Sequence, residues 1–192
     1  MKYLKKYPVR GYRAIFAAIL VVLLIVASSV VFGGCTPKIE VKLYFANYED
    51  NQAFLSPETR QIIKSADLYK NVLEELVKGP ESENLYPTLP SDVVVYSVIV
   101  DNGLAIADFS HEIITNTTEI PHSSTTEILA IFSIVDTLTE FEEIQKVRIT
   151  VEGKQTGQIE GLYIEDFWGH VGIYEDFERN EQVLSKEGIP EQ

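Results

Sequence analysis

The sequence predicts a single α+β domain in the order β-α-β-β-α-β, with two helices packed on a mixed or antiparallel sheet. Three observations carry this. Short runs alternate apolar and polar residues, as half-buried strands do. Two longer stretches place apolar residues at helical spacing between start and stop signals. An Asn-Gly pair, Asn102-Gly103, joins two strand-like runs.

In chain order, Ile39 to Phe45 alternates and reads as a strand with one buried face. Ala46 to Lys64 is polar and turn-prone, with Ser56-Pro57 inside it, and reads as a loop holding at most a short strand. Asp67 opens a helix whose Leu68, Val72, Leu73, Leu76 and Val77 share one face. Gly79-Pro80 ends it, since glycine accepts the left-handed cap and proline cannot continue the helix. A loop with Pro87 and Pro90 leads to the β-branched run Val93 to Val100. Asn102-Gly103 then predicts a tight primed turn, both positions accepting positive φ, into a strand from Leu104 to Phe109. Ser124-Thr-Thr-Glu127 matches a capping box. Ile128, Ile131, Phe132, Val135 and Leu138 follow as the stripe of a second helix ending near Phe141. Lys146 to Glu152 alternates again, and Gln158 to Phe177 is aromatic and glycine-punctuated, an edge strand or ordered arm. Residues 39–178 are thus the expected domain and residues 179–192 a frayed tail.

The first 35 residues have the layout of a secretory signal. Lys2, Lys5, Lys6, Arg10 and Arg13 precede an uncharged apolar run, Ala14 to Phe32, closed by Gly33-Gly34-Cys35. Val31-Phe32-Gly33-Gly34-Cys35 resembles a bacterial lipobox, which implies acylation of Cys35, removal of residues 1–34 and a short lipidated tether over residues 35–38. The alternative is an uncleaved signal anchor, because a run of this length at ~1.5 Å per residue can span the ~30 Å apolar core of a bilayer. Both readings place the domain on the extracytoplasmic face of the membrane, since the positive flank stays inside.

Without residues 1–34 the remaining 158 residues hold 11 Lys and Arg against 29 Asp and Glu, a net charge of −18. Nucleic-acid binding needs cationic groups to release phosphate counterions, so that class is excluded. A folded face lying flat on anionic lipid is disfavoured for the same reason, leaving acyl chains on Cys35 as the membrane partner. With one cysteine, no intrachain disulfide can form.

The ordered pieces resemble a GerMN domain, the module of sporulation and spore-germination proteins. Val41 to Phe45 resembles its opening strand, and Leu73 to Pro80 the helix ending in Gly-Pro. Asn102-Gly103 with Ala107-Asp-Phe-Ser110 resembles the central hairpin, and Ile134 to Phe141 the second helix. Val147 to Gly153 resembles the strand after it, and Gly169-His170-Val171 the closing segment. About a dozen residues, 157–168, stand between those last two pieces as an insertion. The resemblance implies a membrane-tethered, non-enzymatic assembly or interaction module, with envelope proteins or further copies of itself as partners.

No catalytic constellation stands out. Asp108, Ser110 and His111 have triad residue types, but neighbours on an extended chain point apart. Asp108 and Ser110 are better read as capping local backbone groups. His111, His122 and His170 lack zinc-site spacing. Glu49-Asp50-Asn51 and Glu175-Asp176 with Glu178 lack the spacing of a calcium loop. Neither a metal nor a cofactor is expected. The candidate interaction surface is the aromatic cluster Tyr163, Phe167, Trp168, Tyr174 and Phe177, because such rings anchor interfaces and stack on sugars. Cell-wall glycan is therefore a second possible partner.

Overall fold

A computed structural model describes residues 37–184 and 189–190, together with the isolated Ile19. The signal segment and Cys35 lie outside the described residues. Strands β1 (Lys38–Glu49) and β2 (Gln52–Ile63) form a long antiparallel hairpin, Lys38 opposite Ile63 and Glu49 opposite Gln52. This corrects the loop expected over 46–64. Ser56-Pro57 argued against a strand, yet proline is tolerated where the ladder does not need its missing donor, and Pro57 sits opposite Tyr44. The turn is made by Asp50 and Asn51 with φ of 54° and 60°, the same left-handed pair that the sequence advertises at Asn102-Gly103.

Helix α1 (Leu68–Val77) buries Val72, Leu73, Leu76 and Val77 and ends at Gly79, φ 81°. Arg60 of β2 secures that end. Its guanidinium donates to the Gly79 carbonyl at 2.6 Å, pairs with Glu58 at 2.6 Å and lies over the Phe45 ring. Glu58 in turn accepts the backbone N–H groups of Glu81 and Ser82.

Strands β3 (Val95–Asp101) and β4 (Leu104–Phe109) form the expected hairpin, with φ of 48° at Asn102 and 85° at Gly103. A short helix α2 (Glu112–Thr115), absent from the sequence reading, follows. Helix α3 (Ser124–Leu138) crosses to β5 (Lys146–Val151), which pairs with β4 in parallel. A chain returning to a parallel neighbour needs such a crossover. The two-residue strands β6 (Gln158–Ile159) and β7 (Leu162–Tyr163) make a small hairpin, and β8 (Phe177–Glu178) adds to β5. The mixed sheet thus runs β3-β4-β5-β8. The β1-β2 hairpin is a separate sheet that also takes up β9 (Ile189–Pro190).

Between the layers, Ala105, Ala107 and Phe109 of β4 and Val147, Ile149 and Val151 of β5 join Ile131, Ile134, Val135 and Leu138 of α3 in one buried cluster. Each large side chain there stabilises the fold by ~1.5–3 kcal/mol. A smaller cluster on the other face of the hairpin holds Tyr44, Ala46, Ala53, Leu55, Leu129 and Val183. Val183 belongs to a 3-10 turn, Glu181–Leu184, in the segment expected to fray. Arg179 holds the entry to this segment by donating to the Tyr44 hydroxyl at 2.8 Å and the Asp136 carbonyl at 3.1 Å.

Candidate functional site

The start of α3 decides where the aromatic arm goes. Ser123, not Ser124, is the N-cap, and it exchanges hydrogen bonds with Thr126. Thr126 therefore fills the role the sequence analysis assigns to Glu127. Glu127 turns inward instead and is fully buried. Its carboxylate accepts the N–H groups of Trp168 at 3.4 Å, His170 at 2.8 Å, Val171 at 3.1 Å and Gly172 at 2.9 Å. Four converging donors and the positive end of the helix dipole compensate the desolvated charge. One buried residue thus folds the loop 168–172 against the domain.

Gly172 is required in that loop. Its φ is 77°, and an added Cβ would lie 2.6 Å from the Glu165 carbonyl oxygen and against the Tyr174 ring. Phe167 also has positive φ, 53°, a conformation rare for a bulky residue. It is held by burial beside Trp168, the ring centroids 5.2 Å apart. Trp168 donates its indole N–H to the Ile113 carbonyl at 2.8 Å. On its other neighbour it stacks with His122, centroids 4.4 Å apart and planes within 6°. Burial holds the His122 imidazole below its ordinary pKa, and its Nε2 is buried without a partner among the described residues.

The five aromatic residues proposed as one surface therefore separate. Phe167, Trp168 and Phe177 belong to the core, at 3%, 7% and 8% exposure. Their role as surface anchors is corrected: the glycine-punctuated turns fold Phe167 and Trp168 inward, and pairing of β8 with β5 sets Phe177 against Phe132. Tyr163 and Tyr174 remain exposed, at 51% and 63%. Tyr163 lines a cleft of about 210 Å³ between the arm and the segment 114–122, walled by Ile114, His122, Leu162, Phe167 and Trp168, with Asp166 also facing it. Tyr174 lies apart from that cleft and donates to Asp166.

The hydroxyl and carboxyl of the supposed triad serve the backbone. Ser110 Oγ accepts the Val94 N–H at 2.9 Å, and Asp108 Oδ1 accepts the Gly153 N–H at 2.7 Å and the Thr150 hydroxyl at 2.8 Å. His111 faces glutamates instead. Its Nδ1 is 3.2 Å from Glu152, and its Nε2 is 3.4 Å from Glu112 and 4.0 Å from Glu160. The hydrogen bond to Glu152 holds its pKa above the ordinary histidine value. Among the described residues, no group of three or more His, Cys, Asp or Glu is arranged to hold a metal, and no helix is long and apolar enough to cross a membrane.

Missed by sequence reasoning were Glu127, read only as a cap, and Asp136. Asp136 is fully buried on α3. One carboxylate oxygen accepts the Asn180 N–H at 3.0 Å and the other has no hydrogen-bond partner among the described residues. Burial pushes its pKa up to about 7. A charged residue among the apolar positions of α3 was the only available signal.

The family described as Germane, sporulation and spore germination, matches residues 42–157. The spore germination protein GerM of Bacillus subtilis (strain 168) is 32% identical over 111 residues, covering 55% of this chain and 29% of that protein. The solved tandem GerMN domains of the B. subtilis sporulation protein GerM are similar at a TM-score of 0.59 and 25% identity, covering 80% of this chain and 50% of theirs. The first GerMN domain of that protein is similar at a TM-score of 0.50 and 26% identity, covering 70% of this chain and 97% of the domain. The chain therefore spans less than a third of the curated relative and about half of the tandem structure. Residues 158–178, which build the arm, lie beyond the family match.

Proposed function

We propose, from the premise that the chain belongs to the Germane (GerMN) family and is a sporulation-related module, that it is a lipid-anchored, non-enzymatic interaction module of the cell envelope. The observation that carries this reading is the family match over residues 42–157 behind a lipobox-like segment ending in Cys35. The structural duties of Asp108 and Ser110 support a role without catalysis. The anchor holds the domain on the extracytoplasmic face, where it binds other envelope proteins. Intact-mass measurement of the membrane-extracted native protein tests the anchor: loss of residues 1–34 with added acyl mass, abolished by Cys35→Ala, is expected. A full-length unmodified chain would sink it. Photo-cross-linking in sporulating cells tests the role, and recovery of no specific envelope protein would remove it.

Cell-wall glycan is a second reading, favoured by the exposed rings of Tyr163 and Tyr174. Retention on purified sacculi, lost in a Tyr163→Ala, Tyr174→Ala variant, is its test. Equal retention of that variant rejects it.

A further inference from the structure

The cleft beside the arm sits in a part of the chain stripped of cations. No Lys or Arg occurs from residue 79 to 145 or from 155 to 178, and those two stretches supply every residue lining the cleft. One acidic residue lines it and a second adjoins it in sequence. Asp166 lines the cleft, and Glu160 occupies the β6-β7 turn beside the lining residue Gly161. The Glu160 carboxylate lies 4.0 Å from His111 Nε2, an imidazole that also faces Glu112 and Glu152. The lips are apolar and open: Leu162 is 42% exposed and Tyr163 about half. Behind them the wall is rigid, because Trp168 is fixed by the Ile113 carbonyl and by the Glu127 carboxylate.

A preformed apolar cleft of about 210 Å³ is below the ~300–1,000 Å³ of a drug-sized pocket. It suits a single large apolar side chain, the kind of anchor that dominates interfaces. The rim charge selects what surrounds that anchor. A second copy of this acidic chain would bring like charge against like charge, as would anionic lipid or nucleic acid. We infer that the cleft is a docking site for a cationic peptide segment of a partner protein, seating one large apolar side chain between Leu162, Tyr163 and Trp168 with flanking Lys or Arg facing Glu160 and Asp166. This rests on the interaction-module reading and names the chemistry of its partner.

The test uses the full chain extracted in detergent and a labelled Lys-Lys-Phe-Lys-Lys peptide, followed by anisotropy at low ionic strength. Trp168, the only tryptophan, reports on the cleft through its emission. The Phe peptide should bind at least about tenfold more tightly than the same peptide with Ala in place of Phe. Tyr163→Ala and Glu160→Lys should each weaken it by about fivefold or more, whereas Glu40→Lys on β1 should not. Equal binding of the Ala peptide would mean charge attraction alone and overturn the inference. So would unchanged affinity in Glu160→Lys, a variant of an exposed turn residue that leaves the fold intact by its Trp168 emission. If cellular cross-linking recovers an envelope partner while these peptides fail, the docking site falls and the interaction-module reading stands.

Discussion

Glu127 Oε2 accepts the backbone N–H of His170 at 2.8 Å, across 43 residues of sequence. Through that bond and the three N–H groups received by Oε1, one fully buried carboxylate fixes the loop that carries Trp168. Removing it leaves several backbone donors unsatisfied. Glu127→Ala is expected to destabilise the domain by ~2–4 kcal/mol, and Glu127→Gln by less, because its carbonyl retains part of the acceptor set. Urea unfolding followed by Trp168 fluorescence measures both. A Glu127→Ala loss below about 1 kcal/mol would show that the loop does not depend on this carboxylate.

Gly172→Ala should cost ~2–3 kcal/mol, since the left-handed φ penalises a side chain and the new Cβ meets the Glu165 carbonyl. Gly153→Ala is the control. It shares the positive φ, 72°, but its Cβ would meet nothing within 4 Å. The difference between the two melting temperatures isolates the steric component.

Asp136 makes stability fall with rising pH. Its folded pKa of about 7 lies above its ordinary value of 3.8, so between those values the folded chain keeps a proton that the unfolded chain has lost. Stability is greatest with respect to this group below pH 3.8, declines through the window and levels off above about pH 7. Asp136→Asn keeps a carbonyl for the Asn180 N–H and removes the penalty. It should stabilise the protein by ~1–3 kcal/mol at pH 8 and by little at pH 4. An unchanged difference between those two pH values would reject the assignment.

His111 and His122 should titrate on opposite sides of pH 6.5, the first raised mainly by its hydrogen bond to Glu152 and the second lowered by burial against Trp168. For His111 the pairing contributes stability below pH 6.5 and loses it as pH rises through the higher folded value. In an NMR titration, Glu152→Gln should bring His111 back toward 6.5 and leave His122 where it was.

Elements whose information is local were legible in the chain. Asn102-Gly103 announces its hairpin because few other residues take positive φ at both turn positions. Gly79-Pro80 marks the end of α1 because glycine caps and proline blocks. The β1-β2 hairpin was not legible past Phe45. Ala46, Ala53, Leu55 and Phe54 place apolar groups toward both faces, which erases the alternation that identifies a half-buried strand. The aromatic cluster was visible as composition only. Which rings face inward depends on the bonds from Glu127 to residues 168–172, on positive φ at Phe167, Gly169 and Gly172, and on the pairing of Phe177 with Val147 of β5.

The sequence by itself determined the α+β class, the two main helices, the central hairpin, the acidity and the resemblance to the GerMN module, because each is written in short-range spacing or in composition. Only the tertiary structure decided that β4 and β5 lie parallel, that Glu127 is a clasp rather than a cap, and that Tyr163 borders an apolar cleft while Trp168 is part of its wall. These are properties of residues brought together from distant positions, where burial energy and backbone hydrogen bonding across the fold outweigh local preference.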